Sequence, residues 1–160
     1  MKRDDILTVL RESRANIEAA LAGLSDAQLT EPGALGAWSV KDILSHLTAW
    51  EAEAVTVLAK VRRGRKPGRI PWADAEVDAL NAKWYKENRS RPLDRVLADF
   101  RGVRAQMLRQ VEAMSDQEIA EPRPWFENRA LLEMIKSETF EHEAEHLAHL
   151  LEWRRRVSGG

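Results

Sequence analysis

Residues 40–61 carry one unbroken apolar stripe. Val40, Ile43, Leu44, Leu47, Trp50, Ala54, Val57, Leu58 and Val61 recur at intervals of three and four. That spacing gathers side chains on one face of an α-helix and scatters them over both faces of a strand. An amphipathic helix has to bury its stripe against other helices or a sheet. No segment of the chain alternates with period two, and none carries an Asn-Gly or Asp-Gly hairpin signal. The chain is therefore expected to be all-α.

The remaining segments supply partners. A first helix is expected over about Asp5 to Gly23 on Ile6, Leu10, Ile17 and Leu21. Ser39 can cap the striped helix, with Asp42 in its first turn, and the helix should stop near Gly64. Ser25 and Ser115 each precede Gln28 or Glu118 by three residues, the capping-box spacing of a short helical turn. A helix from Ala73 to Asn88 is expected to turn Val77, Leu80, Trp84 and Tyr85 inward. A longer one runs from the Ser90-Arg91-Pro92 start to Met114 on Leu93, Val96, Leu97, Phe100, Val103, Met107 and Val111. The last and longest is expected from Arg129 to Val157. Four long helices and short extra ones make a bundle, and periodicity leaves up-down and crossover connections both open.

Length and composition narrow the class. The 160 residues fit one domain, 1–160, large enough to bury a core without a covalent staple. There is no cysteine, which removes disulfides, thiolate metal ligands and a Cys nucleophile. Lys plus Arg is 25 against 26 Asp plus Glu, a net charge of -1 that argues against a nucleic-acid partner. The basic side chains between Arg62 and Arg69 read as a solvated loop. No apolar run approaches the ~20 residues of a membrane span, and the start shows no signal-peptide core, so a cytoplasmic location is expected.

The four histidines concentrate the chemistry. His142, His146 and His149 follow one another at spacings of four and three, and continue a line through Leu131, Ile135 and Thr139 to Trp153. Imidazoles four or three apart on a helix can share one metal ion. His142 and His149 are two turns apart, about 10 Å of rise, too far to ligate the same ion. His46 lies beside the apolar face of the striped helix, where Trp38 and Trp50 flank it and could wall a substrate pocket. The string His142-Glu143-Ala144-Glu145-His146 also matches the HExxH pattern, in which Glu143 would be a general base. A bundle lacks the sheet-edge cleft that such a protease needs.

The block Leu35-Gly36-Ala37-Trp38-Ser39-Val40-Lys41-Asp42-Ile43-Leu44-Ser45-His46-Leu47-Thr48-Ala49-Trp50-Glu51 resembles the second-helix signature of the DinB-like superfamily. The nearest resemblance is to the branch of small four-helix proteins named for ClbS and DfsB. His142-x-x-x-His146 with Trp153 resembles that branch's last helix, and Asn81 ahead of Trp84 and Tyr85 its third. The resemblance implies a DinB-like four-helix bundle with a crossover connection, often a homodimer. It implies a divalent metal, zinc or nickel, on His46, His142 and His146. It further implies a small-molecule substrate, with hydrolysis or transfer of a low-molecular-weight thiol as the reaction and Glu143 as a candidate catalytic base. Metal-free hydrolysis of a strained electrophile, as in genotoxin self-protection, and a non-catalytic stress-response binding role are the other readings that the branch brings. Glu143 stands where the branch often has Tyr, and His149 is additional. His149 is expected to line the pocket or bond a carboxylate.

Overall fold

The computed structural model describes residues 1–68 and 74–159. The last part of the basic loop, Arg69 to Pro71, and the expected helix start at Ala73 lie outside them. In chain order the elements are α1 (Arg3–Leu21), α2 (Asp26–Thr30), α3 (Val40–Arg62), α4 (Asp74–Asn88), α5 (Leu93–Glu112) and α6 (Asp116–Ala120). A two-residue strand β1 (Pro122–Arg123), a 3-10 turn (Pro124–Phe126) and β2 (Arg129–Ala130) follow, then α7 (Leu131–Glu138) and α8 (Phe140–Ser158). β1 and β2 pair antiparallel, so Arg129 and Ala130, where the last helix was expected to start, are extended.

Local chemistry starts the helices where the serines predicted. Ser39 Oγ accepts from the Asp42 amide at 3.2 Å while the Asp42 carboxylate accepts from the Ser39 amide at 2.9 Å. Ser25 with Gln28 and Ser115 with Glu118 form the same reciprocal pair. Each closes two of the N–H groups that a helix start leaves open.

Two core clusters give the helix directions. Ile6, Leu7 and Leu10 of α1 pack with Ala54 to Leu58 of α3, Met107 and Val111 of α5, and Leu131 to Ile135 of α7. Ile17, Ala20 and Leu21 pack with Val40 to Leu47, with Val96 and Phe100, and with Leu150 and Trp153 of α8. So α1 and α7–α8 run one way, and α3 and α5 the other. Since α3 and α5 lie side by side and parallel, the chain returns the length of the bundle between them. This is the crossover, and α4 lies within it. Among the described residues, α4 packs chiefly on α3. Val77, Leu80, Trp84 and Tyr85, expected to point inward, are therefore only half-buried.

The expected single final helix is two. The chain breaks at Thr139, where the backbone leaves the helical region (φ -127, ψ -100) and the buried hydroxyl bonds back to the Ile135 carbonyl. This break resets the rotational phase. The inward line of α8 passes through Glu143, His146, Leu150 and Trp153, and His142 and His149 flank it rather than lie on it.

Glu143 is thus a core residue. Arg14 Nε donates to its Oε1 at 2.7 Å, and Arg104 lies 3.0 Å from the same oxygen. Both arginines also reach Glu51, Arg14 at 2.7 Å and Arg104 Nε at 2.6 Å. Ser13 donates to the other Glu143 oxygen, and the arginines donate to the Phe100 and Leu10 carbonyls. The Arg14 guanidinium sits 3.6 Å over the Phe100 ring. Two positive and two negative charges, one from each of the four long helix positions, close on themselves inside the bundle.

Removing one member leaves an uncompensated buried charge, which costs about 3–5 kcal/mol. Glu143→Gln and Glu51→Gln are each expected to lose that much in urea denaturation. Breaking the exposed Arg11–Glu112 pair with Arg11→Ala is expected to cost less than about 1 kcal/mol. Comparable losses at the two places would show that the cluster carries no special share of the stability.

Candidate metal centre

His46 faces outward from α3 one turn before Trp50, and His142 and His146 stand one turn apart on α8. Because α3 and α8 run antiparallel, the three rings meet. His46 Nε2 lies 2.8 Å from His142 Nε2. The ring centroids are 4.6 Å apart for His46–His142 and 5.0 Å for both His46–His146 and His142–His146. One nitrogen from each ring falls within 4.8 Å of the other two.

These imidazoles are held neutral. Burial lowers His46 to about 4, the charge of His146 adds to that, and a hydrogen bond to Asn81 opposes it. Burial lowers His142 to about 3, with His46 and His146 adding. His146 falls to about 4 through burial and then His149. At neutral pH each ring therefore offers a lone pair.

The residues fit a divalent ion. Imidazole is a preferred donor for zinc and nickel, and among the described residues no lysine or arginine lines the cleft that the rings face. Two nitrogens about 2.1 Å from one ion sit roughly 3.0–3.4 Å apart, which the 2.8 Å His46–His142 pair reaches by a small ring movement. His142 Nδ1 is buried with no hydrogen-bond partner among the described residues. Three protein ligands on such an ion leave coordination positions open toward the cleft.

His149 stands behind this group. Its Nδ1 is 3.3 Å from His146 Nδ1, so it pairs with a histidine, where a pocket lining or a carboxylate partner had been expected. It is not among the residues that line the cleft. A ring nitrogen held from behind orients the other one, the usual arrangement around a ligating histidine.

The cleft has a volume of about 330 Å³ and is lined by His46, His142, His146, Trp50, Asn81 and Glu138, with Val77, Ser137 and Glu145. Trp50 Nε1 donates to Asn81 Oδ1 at 2.8 Å, tying α4 over the opening. Trp38 does not reach this cleft. It stacks on Tyr85 at 5.6 Å and lies 5.2 Å from the far side of the His46 ring, in a narrow recess with Trp84 and Asn88. Glu143, the base suggested by the HExxH string, turns away into the Arg14–Arg104 cluster and is not available to the cleft. Glu145 is exposed at the rim.

Sequence reasoning missed Glu138 altogether. The residue ends α7, four positions before His142. That spacing puts two side chains on one helix face, and it is the signal that could have found Glu138. Asn81 was visible as a resemblance, and its bond to Trp50 shows what the residue does.

The model of the DinB superfamily matches residues 10–153. An uncharacterised protein of Escherichia coli UTI89 superposes with a TM-score of 0.84 at 19% identity, over 98% of this chain and 95% of its own. A Streptococcus pneumoniae protein gives 0.84 at 11% identity, over 98% and 92%. The colibactin self-resistance protein ClbS, in a structure described as a complex with double-stranded DNA, gives 0.80 at 14% over 96% of each chain. No curated protein matches the sequence. At these identities the structures speak for the fold alone. The family match, spanning nearly the whole chain, makes it a member of the DinB superfamily.

Proposed function

We propose that this chain binds one divalent metal ion, zinc or nickel, through His46, His142 and His146, and acts on a small molecule held in the adjoining cleft. The observation that carries the reading is the meeting of three neutral imidazoles from two helices at the wall of a 330 Å³ opening. A divalent ion at such a site lowers the pKa of a coordinated water or thiol. The residues of this chain do the rest. His149 fixes the His146 ring, Asn81 and Trp50 hold α4 in place over the substrate, and the half-buried walls limit water. The reaction class that follows is hydrolysis or transfer of a low-molecular-weight thiol.

Protein purified without a histidine tag is expected to carry close to one divalent ion by elemental analysis, or to take one up on addition. His142→Ala and His146→Ala should lose it, and His149→Ala should keep it with weakened affinity, by about 10–100-fold. Full occupancy in the His46→Ala/His142→Ala double variant would rule the ligand set out. A chain that never takes up an ion would shift the reading to metal-free acid–base chemistry by the same histidines.

The apo chain should also report its histidines through pH. Folding lowers their pKa, from 6.5 to about 4 for His46 and to about 3 for His142. The unfolded chain then binds more protons below pH 6.5, and stability falls as pH falls. Urea midpoints are expected to drop between pH 6.5 and 5, and the drop should shrink in His142→Ala. A flat profile there in the wild type would contradict neutral buried rings.

Duplex DNA is not the expected partner, although the ClbS structure is described with one. The net charge is -1, and the described basic residues Arg62, Arg63, Arg65 and Lys66 lie about 24 Å along α3 from His46. Anisotropy titration at physiological salt should show no sub-micromolar complex.

A further inference from the structure

We infer that Glu138 is the proton-transfer group of the cleft, the side chain that takes a proton from the attacking nucleophile and returns it to the leaving group. The inference rests on the chemistry proposed for His46, His142 and His146 and names the residue that completes it.

The argument begins where α7 ends. Glu138 is the last residue of α7, and the turn at Thr139 separates it from the stripe of α8. Its side chain lines the same cleft as the three histidines. It also lines a second cavity of about 100 Å³, walled by Trp50, Ala54, Val57 and Met134, with Glu53, Thr56 and Lys60 as its polar part. One carboxyl therefore borders an open reaction space on one side and a narrower, partly apolar hollow on the other. The apolar wall disfavours its charge, and the cleft gives it access to a reactant. A carboxyl beside a tryptophan in an apolar wall is a known way to keep a proton available near neutrality.

The surrounding charges agree with that role. Burial pushes Glu138 up to about 7, while the Ser137 hydroxyl, donating to it at 3.3 Å, pulls the other way and Glu53 adds repulsion. From α3, Glu53 and Lys60 border the second cavity and His46 the cleft. From α8, His142, His146 and Glu145 border the cleft, and α4 brings Val77 and Asn81, neither of which titrates. Among the described residues no arginine lines either cavity, and Lys60 is the cation that borders the second one. Glu143, the carboxylate of the HExxH string, is paired with two arginines instead.

The proton balance is simple. For hydrolysis of a bond R–L, the water oxygen bonds to the carbon as the C–L bond breaks, and its electron pair leaves with L. The proton released by water passes to the Glu138 carboxylate and then to L, giving R–OH and L–H. A thiol in place of water gives the thioether and L–H by the same transfer.

Acetohydroxamic acid tests this on zinc-loaded protein, because the probe gives up a proton as it binds a metal and the cleft must accept it. Zinc uptake is measured first, by competition with a chelator, and thermal unfolding checks that each variant folds. Glu138→Gln is expected to keep zinc affinity within about threefold and to weaken the hydroxamate by about tenfold or more. Glu138→Asp, which restores a carboxyl, should recover part of that loss. Carbon NMR of the wild-type glutamates should show one midpoint near 7 that is missing in Glu138→Gln. Unchanged hydroxamate affinity in Glu138→Gln with zinc still bound overturns the role of Glu138 alone. Loss of zinc in a folded Glu138→Gln makes the residue a ligand and overturns it as well. A wild-type chain that takes up neither zinc nor nickel overturns the metal reading and this one with it, a result separable because it precedes the probe; one that takes up nickel alone is probed in the nickel form.

Discussion

Four charges in the middle of the bundle set the geometry of everything around them. Arg14, Glu51, Arg104 and Glu143 come from α1, α3, α5 and α8, and each side chain is at most 9% exposed. An ionised group at that depth is tolerated only when it is paired and its remaining hydrogen-bonding positions are filled. Apolar residues can slide or rotate past one another at modest cost, whereas these groups cannot. The cluster therefore pins the rotation of each helix about its own axis. Replacing the whole set with apolar side chains could cost little stability and still lose that phase.

The histidine site is a consequence of the pinned phase. With Glu143 turned into the bundle, His142 is about 100° away round the helix, on the side that faces α3. His146 lies one turn further along, within reach of the same ion. Glu51 fixes α3 in the same way, and His46, five residues earlier, is carried to the α8 side. The guanidinium groups are taken up by their own carboxylates, and no arginine or lysine among the described residues lines the cleft at the three rings. Burial then dominates their protonation and keeps all three neutral.

Much of this was legible in the sequence because it is periodic or local. The stripes on α1, α3 and α5, the capping serines and the gathering of histidines on α3 and α8 depend on spacing alone. The crossover was not legible in periodicity and came only with the family resemblance. Other features depend on contacts far apart in the chain. Arg14, Glu51 and Arg104 look like ordinary surface charges on amphipathic helices, since nothing local says that each will find a counter-charge from another helix. The break at Thr139 was hidden because Leu131, Ile135 and Thr139 keep perfect helical spacing up to it. Missing the break put the inward stripe one residue out of phase and joined His149 to the cleft.

The HExxH string shows how far a motif depends on its fold. In the protease reading, a helix presents both histidines and the intervening glutamate to one opening, and the glutamate must be free to accept a proton. Here the same five residues lie on a helix whose opposite side is also buried. Successive positions are about 100° apart, so His142 and Glu143 face different environments: one an open cleft, the other two guanidinium groups. A carboxylate whose oxygens are occupied by two arginines and Ser13 is closed off from the cleft. The cleft takes its carboxyl from the end of α7, where burial pushes Glu138 up to about 7. Glu138 stands four residues before His142, the spacing of one helix face, so the carboxyl that reaches the histidines is the one a turn before the motif and not the one inside it.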